Sequence, residues 1–153
     1  MSDYRLFFDG ACLPNPGGTA SFGFALCNAE VVVDQGYGII GKGQYMSDVY
    51  AEYYALNSGL ASFVRHLSGP STLQVFGDSK FVVAQVNAGP NGGKKKHKVR
   101  PENKIRRAVE TQLRRIKSLG VQCTIDWIPR EQNFFCDSLA KKLRAIASVV
   151  DAV

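Results

Sequence analysis

Histidine, cysteine and long apolar runs are all scarce in this chain. Its 153 residues include two histidines, His66 and His97, and no hydrophobic stretch nears the roughly 18 residues of a membrane span. The four cysteines, Cys12, Cys27, Cys123 and Cys136, form no C-x-x-C pair and have no histidine at zinc-finger spacing, which argues against a zinc site. The opening Met1-Ser2-Asp3-Tyr4-Arg5 enters a strand-like pattern without the basic and apolar regions of a signal peptide. A cytoplasmic location with reduced thiols is therefore expected. What is present is ordinary globular material, 45% hydrophobic and 21% charged, which excludes a disordered chain. The length suits one domain over residues 1–153, with a core over about 4–145 and a short tail over 146–153.

Acidic residues are also in the minority, 13 against 19 basic, for a net charge of +6. That excess is local. Between Lys94 and Lys117 stand eleven Lys and Arg against Glu102 and Glu110, a balance of +9, and the other 129 residues carry −3. One basic segment on a mildly acidic body points to a polyanion gripped at one place, or else to a solvated helix face.

Residues 4–9, 21–27 and 31–40 read as strands, rich in aromatic and branched side chains. The turn signals between them, Pro14-Asn15-Pro16-Gly17-Gly18 and Asn28-Ala29-Glu30, predict an antiparallel meander closed by glycines over 36–43. The period then changes. Val49, Tyr53, Leu56, Leu60, Phe63, Val64 and Leu67 predict an amphipathic helix capped by Ser47 or Asp48. A short strand over 73–76 turns through Gly77-Asp78-Ser79 into a helix ending near Val86. A long helix begins near Pro101, burying Ile105, Val109, Leu113 and Ile116 and exposing Lys104, Arg107, Arg114 and Lys117. Val121, Cys123, Ile125 and Trp127 alternate as the inward phase of a last strand, and Phe135, Leu139, Leu143, Ile146 and Val150 stripe a last helix. The fold class expected is α/β: a five-stranded mixed sheet, an antiparallel meander plus two parallel strands, flanked by helices.

In such sheets ligands sit beyond the carboxyl ends of parallel strands where the order reverses. Asp9 closes the first strand and Asp78 its expected parallel neighbour. Glu52 lies early in the first helix and Asp137 early in the last, so four carboxylates share one predicted edge. Crowded carboxylates repel one another, and divalent cations are their natural compensation. An all-oxygen set suits Mg²⁺, with Mn²⁺ as a substitute, and two ions roughly 4 Å apart suit phosphodiester hydrolysis.

Four blocks carry a resemblance over residues 4–145: Phe8-Asp9-Gly10-Ala11-Cys12 with Asn15-Pro16-Gly17, Ala51-Glu52-Tyr53-Tyr54-Ala55-Leu56, Gly77-Asp78-Ser79-Lys80-Phe81, and Trp127-Ile128-Pro129-Arg130-Glu131-Gln132-Asn133 followed by Cys136-Asp137-Ser138. In this order they resemble the type 1 ribonuclease H family and its ribonuclease H-like fold. The resemblance implies endonucleolytic hydrolysis of RNA in an RNA–DNA hybrid, leaving 5′-phosphate and 3′-hydroxyl ends, with no covalent enzyme intermediate. It implies that Asp9, Glu52 and Asp78 hold one metal and that Asp9 and Asp137 share a second. Asn15 matches a position near the minor groove, where 2′-hydroxyls mark the RNA strand. Ser47 is a candidate phosphate contact, and no obligate protein partner is implied, so a monomer is expected.

The chain departs from the family pattern in three places. The loop before Asp137 has no histidine and resembles the Pro-Arg-Glu-x-Asn branch, in which Arg130 takes part of that role. Asp48 and Val49 stand where members often carry two minor-groove asparagines; Asp48 is either a helix cap or a carboxylate facing the groove. The basic run with Lys94, Lys95, Lys96, His97 and Lys98 lacks the tryptophan of some relatives and suits nonspecific, salt-sensitive contact with phosphates. A noncatalytic nucleic-acid-binding domain and another nuclease or strand-transferase on the same fold are the alternatives.

Overall fold

A computed structural model describes residues 1–89 and 101–133. Asp137, Lys94, Lys95, Lys96, Lys98 and the expected last helix lie outside the described residues.

Branched and aromatic residues in alternation build three long strands at the start: β1 (Ser2–Leu13), β2 (Thr19–Asn28) and β3 (Val31–Lys42). They pair antiparallel as expected, with Leu13 opposite Thr19 at the first hairpin and Asn28 opposite Val31 at the second. Strand β3 runs through Gly36 and Gly38, as expected over 31–40, and two residues further to Lys42; rings from β2 lie across its glycines, and a Cβ on Gly36 would sit 2.4 Å from Phe24 Cε1.

Helix α1 (Asp48–His66) then crosses the sheet, and β4 (Ser71–Gly77) pairs parallel to β1. After α2 (Lys80–Ala88) and α3 (Pro101–Ser118), β5 (Gln122–Trp127) adds in parallel to β4. The sheet order is β3-β2-β1-β4-β5. This is the expected mixed sheet, an antiparallel meander extended by two parallel strands.

The core fills the space between α1 and the sheet. Leu56, Leu60 and Phe63 from α1 meet Leu6 and Phe8 from β1, Leu73 and Val75 from β4, and Val109 and Ile116 from α3. Each such side chain, fully withdrawn from water, contributes about 1.5–3 kcal/mol of hydrophobic stabilisation. Tyr53 is also fully buried, and its hydroxyl donates to Gln85 Oε1 at 2.6 Å, joining α1 to α2. Helix α3 follows its sequence pattern on the exposed face, with Lys104, Arg107, Arg114 and Lys117 exposed; of the four expected inward residues, Val109 and Ile116 are buried and Ile105 and Leu113 half-buried against the core. Trp127 does not follow its pattern. At 42% exposed it sits at the last β4–β5 pair, opposite Gly77, where the sheet runs out of covering residues. Among the described residues, no helix is long and apolar enough to cross a membrane.

Candidate metal centre

Strand β4 stops one residue short of Asp9. The last parallel pair is Phe8 with Gly77, so Asp9 is the first β1 residue without a β4 neighbour. Asp78 is the first residue after β4. Two carboxylates therefore emerge together where the strands part, although β1 itself runs on to Leu13 against β2 rather than ending at Asp9.

Glu52 arrives from α1, and Gly10 permits its approach. A Cβ on Gly10 would lie 2.2 Å from the Ala51 carbonyl carbon and 2.4 Å from the Glu52 nitrogen, distances no side chain tolerates. The helix backbone thus rests directly on the strand beside Asp9. The entry of α1 is fixed by Ser47, whose hydroxyl accepts the Tyr50 N–H at 3.0 Å and donates to Glu102 Oε1 of α3 at 2.9 Å. Ser47 is therefore the cap. Asp48 instead turns its carboxylate to the Cys12 N–H at 2.6 Å, while its own N–H donates to Asn15 Oδ1 at 3.0 Å.

Carboxylate oxygens of Asp9, Glu52 and Asp78 lie within 4.8 Å of one another. Asp9 is 3% and Glu52 7% exposed, and Glu52 Oε2 is buried with no hydrogen-bond partner. Burial, then the charges of Asp9, Asp78 and Asp48 and a hydrogen bond with Asp9, hold the Glu52 carboxyl well above the usual carboxylate range. A buried, orphaned oxygen on a carboxyl group crowded by two other acids is a poor arrangement for a bare protein and a good one for a hard cation. The donors are all oxygen; Cys12 lines the same cleft, but its thiol points to the Pro14 carbonyl oxygen at 3.3 Å. The set fits Mg²⁺ or Mn²⁺ and does not resemble a zinc site.

These acids form the floor of an open cleft of about 460 Å³ whose wall includes Asn15, Asp48, Ser79 and Arg130. Arg130 opens a single 3₁₀ turn, Arg130–Gln132, after β5. Five residues singled out from the sequence, Asp9, Asn15, Glu52, Asp78 and Arg130, thus line one cleft, and Ser47 lies at its edge beside Asp48.

The sequence reading missed Asn133. It is fully buried, and its Nδ2 donates to the Phe8 carbonyl at 2.9 Å and to Asp78 Oδ2 at 3.2 Å. Its one signal was its place at the end of the Pro129–Asn133 block. An asparagine there reads as an ordinary turn residue until its distant partners are known. Trp127 was read as core, yet its indole N–H donates to the Asp78 carbonyl at 3.1 Å and its ring lies 4.6 Å below Lys80 Nζ.

A carboxylate cluster at the parting of β1 and β4, in a sheet of order β3-β2-β1-β4-β5, defines a ribonuclease H-like domain. A family model described as reverse transcriptase-like matches residues 7–143. The chain belongs to that family, and the match together with the solved structures assigns it to type 1 ribonuclease H. The N-terminal ribonuclease H domain of a Mycobacterium tuberculosis protein, solved as a fusion with maltose-binding protein, is 24% identical over 99% of both chains, with a TM-score of 0.80. Ribonuclease H1 from the halophilic archaeon Halobacterium salinarum is 25% identical over 94% of this chain and 98% of its own, with a TM-score of 0.72. LC11 ribonuclease H1, from compost, solved in complex with an RNA/DNA hybrid, is 20% identical over 94% and 98%, with a TM-score of 0.73.

Proposed function

We propose that this protein is an endoribonuclease that hydrolyses the RNA strand of RNA–DNA hybrids, leaving 5′-phosphate and 3′-hydroxyl ends. The observation that carries the proposal is the triad of Asp9, Glu52 and Asp78, whose carboxylate oxygens gather within 4.8 Å, with one Glu52 oxygen buried and unpartnered. The LC11 enzyme's complex with a hybrid supports the substrate class.

Asp9, Glu52 and Asp78 would hold one divalent ion, and Asp9 with Asp137 a second. Bound there, Mg²⁺ would supply the positive charge that activates water and stabilises the departing 3′-oxygen. The protein's own residues do the rest. Asp9 and Glu52 lie shut away from bulk water, where the charge of a bound cation would draw their carboxyls into the ionised form. Arg130 places a guanidinium on the cleft wall, suited to a backbone phosphate beside the acids. Asn15, in the cleft wall, would offer its amide to a 2′-hydroxyl. Ser47 would have to exchange Glu102 for a phosphate oxygen to contact substrate. Lys94, Lys95, Lys96 and Lys98 would grip the DNA strand through charge alone.

The test is incubation with labelled RNA–DNA hybrid, double-stranded RNA and DNA duplex, in Mg²⁺, Mn²⁺ or EDTA. Hybrid-only cleavage is expected, lost in EDTA and lost on Asp9→Asn or Asp78→Asn. Binding of hybrid without cleavage would leave the noncatalytic reading, and metal-dependent cutting of single-stranded DNA would leave another nuclease.

A further inference from the structure

The end of β5 and the segment that follows it grip the end of β4 at several points. The Ile128 N–H donates to the Gly77 carbonyl at 2.9 Å. The Trp127 indole N–H takes the next carbonyl, that of Asp78, at 3.1 Å. Asn133 then reaches back into the interior and gives its amide to the Asp78 carboxylate at 3.2 Å and the Phe8 carbonyl at 2.9 Å. One amide group thus touches the side chain of one acid and the peptide unit that leads into another, Asp9.

We infer that Asn133 is a positioning residue for the metal centre, setting the Asp78 carboxylate and the Asp9 backbone in one fixed relation, and that Trp127 reports its state. The inference rests on the proposed function and goes beyond it in assigning roles outside the carboxylates. Asp78 is half-buried at the strand end, and repulsion among three acids favours swinging its carboxylate outward. An Nδ2 donor to Oδ2 restrains that carboxylate beside Asp9 and Glu52. Because Asn133 is neutral, it does this without cancelling the negative charge that collects a cation, as a lysine or arginine at the same place would. Full burial makes the contact costly to leave unmade, so the amide is held in register by the fold rather than by chance. The same segment carries Arg130, so the cleft wall and the carboxylate orientation are set by one short stretch of chain.

Outer partners that orient metal-binding side chains typically change metal affinity about 10–100-fold when removed. Trp127 gives the means of reading this without turnover. It is the chain's one tryptophan, and its indole is bonded directly to Asp78. Mg²⁺ titrated into the full-length protein should therefore give a saturable change in tryptophan emission. In Asn133→Ala the midpoint should move upward by about tenfold or more, and the Mg²⁺ concentration for half-maximal hybrid cleavage should move with it. The KM for hybrid at saturating Mg²⁺ should stay near the wild-type value. Should Asn133→Ala fail to fold, as judged by circular dichroism, Asn133→Ser keeps one donor in a smaller side chain, and a midpoint between those of wild type and full loss is expected. A folded variant with an unchanged Mg²⁺ midpoint and only a lowered Tm would overturn the assignment and leave Asn133 a purely structural residue. A wild-type protein that neither binds Mg²⁺ nor cuts hybrid would instead overturn the proposed function itself.

Discussion

The Asp48 carboxylate accepts the Cys12 backbone N–H at 2.6 Å, so the first residue of α1 is tied to the far end of β1. With the Asp48 N–H given to Asn15 Oδ1 at 3.0 Å, strand, hairpin and helix start meet in one knot at the cleft rim. The carboxylate that the sequence left as either a cap or a groove-facing charge is thus engaged with backbone. Asp48→Ala deprives the Cys12 N–H of this acceptor and should cost about 1–3 kcal/mol in urea unfolding with an unchanged m-value. Asp48→Asn keeps an acceptor oxygen and should lose less than half as much. Equal losses in the two variants would show that charge rather than hydrogen bonding holds the knot.

Gly10→Ala is expected to damage both stability and metal binding. The added methyl has only α1 backbone in front of it, at 2.2 Å from the Ala51 carbonyl carbon, so the helix must move away from β1. Overpacking of this kind typically costs about 1–3 kcal/mol. Because Glu52 travels with the helix, calorimetry should find weaker Mg²⁺ binding as well as a lower Tm. Lowered stability with wild-type Mg²⁺ affinity would mean that the helix can retreat without carrying Glu52 off.

Glu52 makes the metal-free protein sensitive to pH in a defined sense. Its carboxyl is raised above the ordinary value of 4.5, first by burial and then by Asp9, Asp78 and Asp48. Its contribution to stability is therefore complete below about that ordinary value and is lost as pH rises through the elevated folded value. In EDTA, wild-type stability should fall with rising pH relative to Glu52→Gln, which cannot ionise. At neutral pH the variant should have the higher Tm. Parallel pH profiles for the two proteins would refute this account of the cluster.

The Cys123 thiol should be inert in the native state. Burial pushes its pKa up to about 11, with Lys117 opposing weakly, and the thiolate is the reactive form. Alkylation at pH 8 should reach Cys123 only after denaturant is added. Rapid native-state labelling there, read by peptide mass, would contradict the packing of β5.

Much of this architecture was legible because period and turn chemistry are local. The alternation in β1 and β2, the three-and-four stepping of α1 and the Pro-Gly hairpin each announce themselves within about ten residues. Strand ends were harder, because they depend on neighbours in space: β1 passes Asp9 to Leu13 and β3 passes Ile40 to Lys42 because β2 continues beside both. Trp127 misled for the same reason. Its alternation is correct, but the sheet no longer covers it where β4 ends.

The sequence alone determined the mixed sheet, the scarcity of histidine and cysteine that leaves oxygen donors for a metal, and the acids Asp9, Glu52 and Asp78 as a set. Only the tertiary structure decided how those acids are held. Ser47 rather than Asp48 caps α1, Gly10 admits the helix, and Asn133 orients Asp78 from 55 residues away. Spacing along a chain shows which side chains share an element. Which buried donor meets which carboxylate depends on packing between elements distant in sequence, and no local pattern encodes it.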